Sequence, residues 1–362
     1  MKLGIIGTRG IPNRYGGFEQ FASVVAPQLV HMGHEVVVYC SSTHAYKKPV
    51  WKGVQLVHAP DPDPWMGAAG QFVYDWHCMR HARQQHFNVI LQLGYTSNSI
   101  WHRMLPKGTA VVTNMDGLEW KRGKYNRWVQ LFLKKAEAWA VHSSDVLIAD
   151  SPVIAAYLQQ QYGRSAVHIA YGADVFHQAE SAIVASLGLQ PFQYNLVIAR
   201  LEPENNIETV LAAHAAVQQP QPLVVVGAVS NRFAKRLQNR YQHNVRFMGG
   251  VWDQQVLNNL RAFSRLYLHG HSVGGTNPSL LEAMGCGALI AAHDNAFNRA
   301  VLQNNAFYFS DVKTLTAIFK KDCTPHHPWR QVVKAHIAQH FTWSHVTHQL
   351  HQCLQHATTT IR

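Results

Sequence analysis

The stretch Gly274-Gly275-Thr276-Asn277-Pro278-Ser279-Leu280-Leu281-Glu282-Ala283-Met284 combines residue types that together can hold a phosphorylated ligand. Two glycines and two small polar residues lead into a proline. Proline suits the first position of a helix because its missing N–H had no intrahelical partner there. The next N–H groups, those of Ser279 and Leu280, point outward with the positive pole of the helix dipole, which favours an anion. Glu282 stands one turn into the helix, where a carboxylate can accept from a neutral hydroxyl such as that of a ribose. Leu266-Tyr267-Leu268-His269 upstream reads as a short buried strand, and Ala288-Leu289-Ile290-Ala291 as the next one. A strand, a Gly-rich loop, a helix and a strand therefore frame a candidate nucleotide-diphosphate site. The same letters also suit an ordinary strand-to-helix turn.

Three further segments carry chemistry. The first loop, Gly7-Thr8-Arg9-Gly10-Ile11-Pro12-Asn13-Arg14-Tyr15-Gly16-Gly17-Phe18-Glu19, follows an opening strand and feeds an amphipathic helix. It lacks the Gly-x-Gly-x-x-Gly spacing of a dinucleotide fingerprint and the Gly-Lys-Ser/Thr ending of a P-loop. Gly16-Gly17 at a helix start lets the backbone approach an anion, with Arg9 and Arg14 adding positive charge. Arg200 lies just past the first strand of a second series, where ligands of open α/β sheets collect. A guanidinium there can pair with diphosphate oxygens through two N–H groups, or form a structural ion pair with Glu204 or Glu282. Asn231, Arg232, Lys235 and Arg236 supply another basic loop. Asp116 and Glu119 follow a strand at Ala110–Thr113, and a basic, aromatic run continues from Trp120 to Trp139. That run suits either an anionic membrane surface or a core-facing helix with a solvated basic face.

The elements that must position these residues alternate. Apolar runs at Leu3–Ile6, Val36–Tyr39, Val54–Val57, Val89–Leu91, Ala110–Thr113, Val146–Ala149 and Val167–Ala170 are separated by helix-like stretches. A second series runs through Asn195–Ala199, Leu223–Val226, Val245–Phe247, Leu266–Leu268, Ala288–Ala291 and Ala306–Phe309. This is the pattern of parallel α/β sheets. It predicts two doubly wound domains joined within Gly172–Pro191, with two tail helices broken near Phe341-Thr342.

With 362 residues, 47% of them hydrophobic, the chain can bury two cores. No apolar run reaches the roughly 18 residues needed to span a bilayer. The five cysteines are widely spaced, odd in number and without a Cys-x-x-Cys pair, which favours reduced thiols over a disulfide framework or zinc site. The net charge of +12 suits polyanionic partners without choosing among nucleic acid, lipid headgroups and phosphorylated substrates. No nucleic-acid motif accompanies the charge.

Taken together, Arg200…Glu204, the Asn277–Glu282 segment and the paired-domain layout resemble a GT-B glycosyltransferase of family 4. More narrowly, Gly7–Pro12 with Gly16–Glu19, Asp116–Arg122, Glu202–Ile207 and His269–Met284 resemble a bacterial rhamnosyltransferase-like branch that acts in capsule, O-antigen and related polysaccharide synthesis. The resemblance spans essentially the whole chain. It implies an α/β GT-B fold, two Rossmann-like doubly wound parallel-sheet domains facing across a cleft. The expected layout is an acceptor-side domain over 1–175 and a nucleotide-sugar-binding domain over 176–340. A C-terminal helix over 341–362 would then be free to pack back on the first domain.

Residue by residue, the resemblance implies catalytic roles for Asp116, Arg200 and Asn277. Donor binding falls to Gly16, Gly17, Arg200, Lys235, Gly275, Thr276, Asn277, Ser279, Leu280 and Glu282, and acceptor binding to Arg9, Arg14 and Glu119. Two positions depart from the wider family. Gly274 stands where a first Glu is usual, and Asn205 where a Lys is usual, so Lys235, Arg232 or Arg9 are candidates to replace that cation. The implied reaction is retaining transfer of a hexosyl group, L-rhamnosyl by branch, from a nucleoside-diphosphate sugar such as dTDP-L-rhamnose or a UDP-sugar. The expected acceptor is a lipid-diphosphate-linked saccharide at the inner face of the cytoplasmic membrane, with an anionic membrane surface as partner and no nucleic acid. No cofactor or metal is expected: Asp61-Pro62-Asp63 has the letters of a metal-binding Asp-x-Asp but sits in a proline-rich loop. A sugar-nucleotide epimerase of related fold and an inactive scaffold subunit are the alternatives.

Overall fold

The structure, a computed structural model, describes residues 1–14, 16–123, 125–218 and 220–360. The chain divides into two compact units, Met1–Tyr171 together with the chain from Trp343 onward, and Gly172–Thr342.

The first unit holds β1 (Lys2–Ile6), β2 (Glu35–Ser41), β3 (Val50–Trp51), β4 (Val54–Ala59), β5 (Val89–Leu93), β6 (Ala110–Asn114), β7 (Val146–Ala149) and β8 (Ala166–His168). They form one sheet in the order β3-β4-β2-β1-β5-β6-β7-β8. The pairings are parallel except for the short hairpin of β3 with β4. Every residue of β5 and β6 is buried, as the strands of a sheet covered on both faces must be. β1 pairs with β2 on one side and β5 on the other, so the strand order reverses at β1. Loops leaving the carboxyl ends of β1 and β5 part there, which is the ligand-binding position of open α/β sheets. The exposed two-residue β3 was not expected; it is too short to show any pattern of its own.

The final helix, Trp343–Thr360, belongs to this unit. Trp343, Val346, Leu350, Cys353, Leu354 and Ala357 recur at helical spacing and are buried, a single apolar stripe laid on the unit. Trp343 meets Phe21 edge-on with ring centroids 6.2 Å apart.

The second unit holds β9 (Asn195–Ile198), β10 (Leu223–Val226), β11 (Val245–Gly249), β12 (Leu266–His269), β13 (Ile290–His293) and β14 (Phe307–Phe309). All pair in parallel in the order β11-β10-β9-β12-β13-β14. Its reversal falls at β9, flanked by β10 and β12. Val197, Leu211, Leu223, Leu268, Leu289 and Phe309 lie in its core. The strand expected over Ala288–Ala291 starts two residues later. Ala288 N–H closes the preceding helix on the Ala283 carbonyl and Gly287 N–H on that of Met284, a Schellman ending that takes the first position of the expected strand into the helix terminus. All five cysteines are free and buried.

Candidate functional site

In the second unit the two loops that leave the switch point are bound to each other. Asn206 donates its side-chain amide to the Gly270 carbonyl at 2.8 Å, and Ser272 donates its N–H and hydroxyl to the Glu204 carbonyl at 3.1 and 2.8 Å. Gly270 is required by this close approach, since a Cβ there would stand 2.0 Å from the Asn205 carbonyl oxygen. The Arg200 loop and the loop leading to Pro278 therefore form one rigid ledge at the carboxyl ends of β9 and β12.

Arg200 is exposed on this ledge and has no ion pair among the described residues. The structural pairing with Glu282 that the sequence left open is not formed: Glu282 is held by Arg261 instead. Asn205 is buried and donates its amide to the Arg200 carbonyl at 2.7 Å. The Asn205 side chain thereby fixes the backbone that carries the guanidinium. Asn231 donates to the Leu201 carbonyl at 3.0 Å and to Glu202 Oε1 at 3.2 Å. It also caps the helix Arg232–Tyr241, whose Arg232 and Lys235 are exposed. Those two cations thus ride on an element tied to the Arg200 loop, while Arg236 pairs with Glu208.

Helix Pro278–Gly285 starts as its sequence dictates, with Asn277 as cap and proline first. Asn277 Oδ1 accepts the Ser279 N–H at 3.0 Å, and the Asn277 carbonyl accepts that of Leu280 at 3.0 Å. Both amides expected to meet phosphate therefore already have acceptors, and a bound anion would share them. The Ser279 hydroxyl lies 2.7 Å from Tyr267 Oη. Thr276 is buried, Gly275 partly so. Gly274 has φ +124°, a conformation that side-chain-bearing residues rarely adopt, and open space around it. A side chain at this position would find space but would strain the backbone.

Glu282 accepts a hydrogen bond from Arg261, which is 1% exposed and also donates to Asn258 at 3.0 Å. Burial opposes the Arg261 charge, and Glu282 outweighs it. Asp174 is close enough that its pKa is raised by burial and then by Glu282. His269, at the end of β12, is 1% exposed; its ring stacks on those of His271 and Tyr267, and neither nitrogen has a partner among the described residues. Burial, then His271 and His293, hold its pKa well below the usual histidine range, so it is a neutral imidazole.

The first unit places Gly16 as cap and Gly17 as first residue of the helix Gly17–His31. Glu19, in the first turn, is buried and accepts the Arg9 N–H at 2.7 Å. A Cβ on Gly16 would come 2.6 Å from its carboxylate, whereas one on Gly17 would make only ordinary contact with Tyr171. Arg9 is gripped by the loop after β4, with Asp61 at 2.5 Å and Asp63 at 3.4 Å. Burial works against its charge and these two carboxylates more than compensate. Asp61 also accepts from Ser41 at 2.6 Å, so both aspartates of Asp61-Pro62-Asp63 have protein partners. Arg14 is exposed. Asp116, after β6, has φ +50° and donates its N–H to Asn114 Oδ1 at 3.0 Å. Aspartate tolerates this left-handed conformation better than most residues. Glu119 is engaged by Arg122 at 2.6 Å. Of the three expected acceptor residues, Arg9 and Glu119 are thus already committed to ion pairs. Among the described residues no group of three or more His, Cys, Asp or Glu side chains is arranged to hold a metal.

Sequence reasoning missed Arg261, Glu19 and the Arg9 clasp. Each pairs residues far apart in the chain or across a loop, and no local spacing announces such contacts. His269 sits inside the quoted His269–Met284 segment, but nothing local distinguishes a stacked buried histidine from an exposed one.

Residues 1–174 match the family described as a domain of unknown function, DUF1972, and residues 186–319 match glycosyl transferases group 1. No curated protein sequence matches the chain. Several solved structures share its fold. Sucrose-phosphate synthase from Thermosynechococcus elongatus is similar with a TM-score of 0.82 at 16% identity, over 99% of both chains. Anabaena HepE in complex with UDP and glucose is similar with a TM-score of 0.77 at 17% identity, over 98% of this chain and 99% of that one. The catalytic domain of starch synthase IV from Arabidopsis thaliana, bound to ADP and acarbose, has a TM-score of 0.73 at 12% identity over 99% of both chains. At such identities the likeness establishes the fold, GT-B with two parallel-sheet α/β domains, as expected. Two parallel sheets of GT-B form and a group 1 domain over residues 186–319 support a glycosyltransferase of GT-B architecture.

Proposed function

We infer that the protein is a retaining hexosyltransferase of family 4 type that takes its sugar from a nucleoside diphosphate, L-rhamnose by branch resemblance. The acceptor is a saccharide carried on a lipid diphosphate at the inner face of the cytoplasmic membrane. The reading rests above all on Arg200, an exposed guanidinium without an ion pair among the described residues, on a rigid ledge shared with helix Pro278–Gly285. The UDP and ADP complexes of similarly folded proteins support a nucleotide-diphosphate donor.

The chemical difficulty is departure of the diphosphate while positive charge grows at the anomeric carbon. The bond from that carbon to the phosphate oxygen breaks, with its electron pair going to the diphosphate. Arg200, with Lys235 or Arg232 nearby, neutralises the departing oxygens, and fixed dipoles of this kind are commonly the largest catalytic contribution. The acceptor hydroxyl attacks from the same face, and its proton passes to the departing phosphate oxygen. Asp116 lies by the transferred sugar in this scheme, Gly275, Thr276 and Asn277 line the sugar–phosphate pocket, and Glu282, oriented by Arg261, holds the ribose. Both departures from the wider family have structural duties here, Asn205 as a tether and Gly274 as a turn, which favours an active enzyme over a decayed scaffold.

The test is a panel of UDP-, dTDP- and GDP-sugars read by thermal shift and by diphosphate release with and without acceptor. Acceptor-dependent release is the expected result. Release of free sugar or glycal without acceptor would replace the reading with an epimerase, and binding without turnover with a scaffold.

A further inference from the structure

Two exposed indoles lie on two helices of the first unit that are linked through a third, Gly70–Ala82. Helix Arg127–Ser143 presents Trp128 at 81% exposure and Leu131 at 56%, and the short helix Asp63–Met66 presents Trp65 at 92% and Met66 at 51%. Phe72, on the adjoining helix Gly70–Ala82, packs against Phe132 with ring centroids 5.6 Å apart, which joins the two regions. Arg127, Lys134 and Lys135 are exposed on the same helix as Trp128.

Among the described residues no carboxylate forms an ion pair with Arg127, Lys134 or Lys135. Glu137, the one acidic residue of the helix, is 1% exposed and accepts from Tyr95, Trp120, Tyr157 and Tyr162. In the flanking segments Asp63 pairs with Arg9 and Glu119 with Arg122. Indoles with an apolar body and a polar N–H favour the headgroup level of a bilayer, and cations beside them favour anionic lipid. A second copy of the chain would set the same cations against one another, and the net charge of +12 points the same way.

We propose that Trp65, Met66, Trp128 and Leu131, with Arg127, Lys134 and Lys135, form a docking face for an anionic bilayer surface. The indoles lie among the headgroups and the cations against lipid phosphates. No helix among the described residues is long and apolar enough to cross a membrane, so the contact is peripheral. This face extends the membrane part of the function proposed above and is tested without donor or acceptor.

Full-length protein is floated with vesicles of phosphatidylcholine alone and with vesicles in which about a third of the lipid is phosphatidylglycerol. Binding to the anionic vesicles only, weakened roughly tenfold or more by Trp65→Ser with Trp128→Ser and by Lys134→Glu with Lys135→Glu, is the expected result. These side chains are exposed, so thermal stability and diphosphate release with a water-soluble acceptor should be retained. No preference for anionic vesicles, binding indifferent to both double variants, or self-association abolished by the tryptophan changes would overturn the proposal. Vesicle binding by a protein that transfers no sugar would overturn the transfer reading and leave this one standing.

Discussion

Arg261 shows how a single buried charge can set the chemistry of another residue. Its guanidinium is almost fully enclosed and holds Glu282 by an ion pair, which fixes the direction in which the carboxylate is held. Arg261→Met should therefore raise the donor KM by about ten- to a hundredfold with a smaller change in kcat, the pattern of lost ground-state binding. It should also destabilise the fold by about 3–5 kcal/mol, because one buried partner is left alone. Arg261→Lys should recover part of the affinity. An unchanged donor KM in a folded Arg261→Met protein would refute the positioning role. Asp75 offers a second test. Burial pushes its pKa up to about 7, despite hydrogen bonds from Ser97 and Gln71 that favour the charged form. Its folded pKa thus lies above the unfolded one, so its contribution is full below about 3.8 and lost as pH rises through about 7. At pH 8 the buried carboxylate costs on the order of 4 kcal/mol relative to acid. Asp75→Asn should gain stability over the parent at pH 8 but not at pH 4, and parallel Tm–pH curves would contradict this. Neither residue was legible in the sequence. Arg261 reads as an ordinary amphipathic-helix position, and Asp75 as an exposed helical acid, until the contacts across the chain are known.

Elements were far more legible than contacts. Short apolar runs become strands because buried parallel sheets need continuous apolar sequence, and Asn277-Pro278 starts a helix by local chemistry alone. Local rules also explain the misses: the end of helix Pro278–Gly285 displaced a strand start, and the two-residue β3 left no pattern. At the loop before that helix the structure turns a departure into an expectation. Gly274 sits at φ +124°, a conformation that a glutamate placed there would adopt only under strain. Gly274→Glu should cost about 1–3 kcal/mol of backbone strain and lower donor affinity. A rise in transfer rate for that variant would show that the missing carboxylate, not the turn, limits the site.

At the scale of the whole molecule, the chain builds one Rossmann-like unit, then a second, and ends with a helix that completes the first. Both sheets reverse strand order at their first strand, so each unit directs its chemistry-bearing loops to the carboxyl end of its sheet. The order of apolar runs made that plan legible, whereas the sugar and the acceptor leave no such imprint. The proposed transfer requires fixed cations on the second unit to draw a diphosphate off an activated hexose. The most direct measurement is acceptor-dependent release of nucleoside diphosphate from the donor that the thermal-shift panel selects, for the parent chain and for Arg200→Ala at equal folded concentration. The predicted result is a kcat lowered about a hundred- to a thousandfold in the variant, the scale of losing one preorganised charge contact. Near-parental turnover by Arg200→Ala would contradict it.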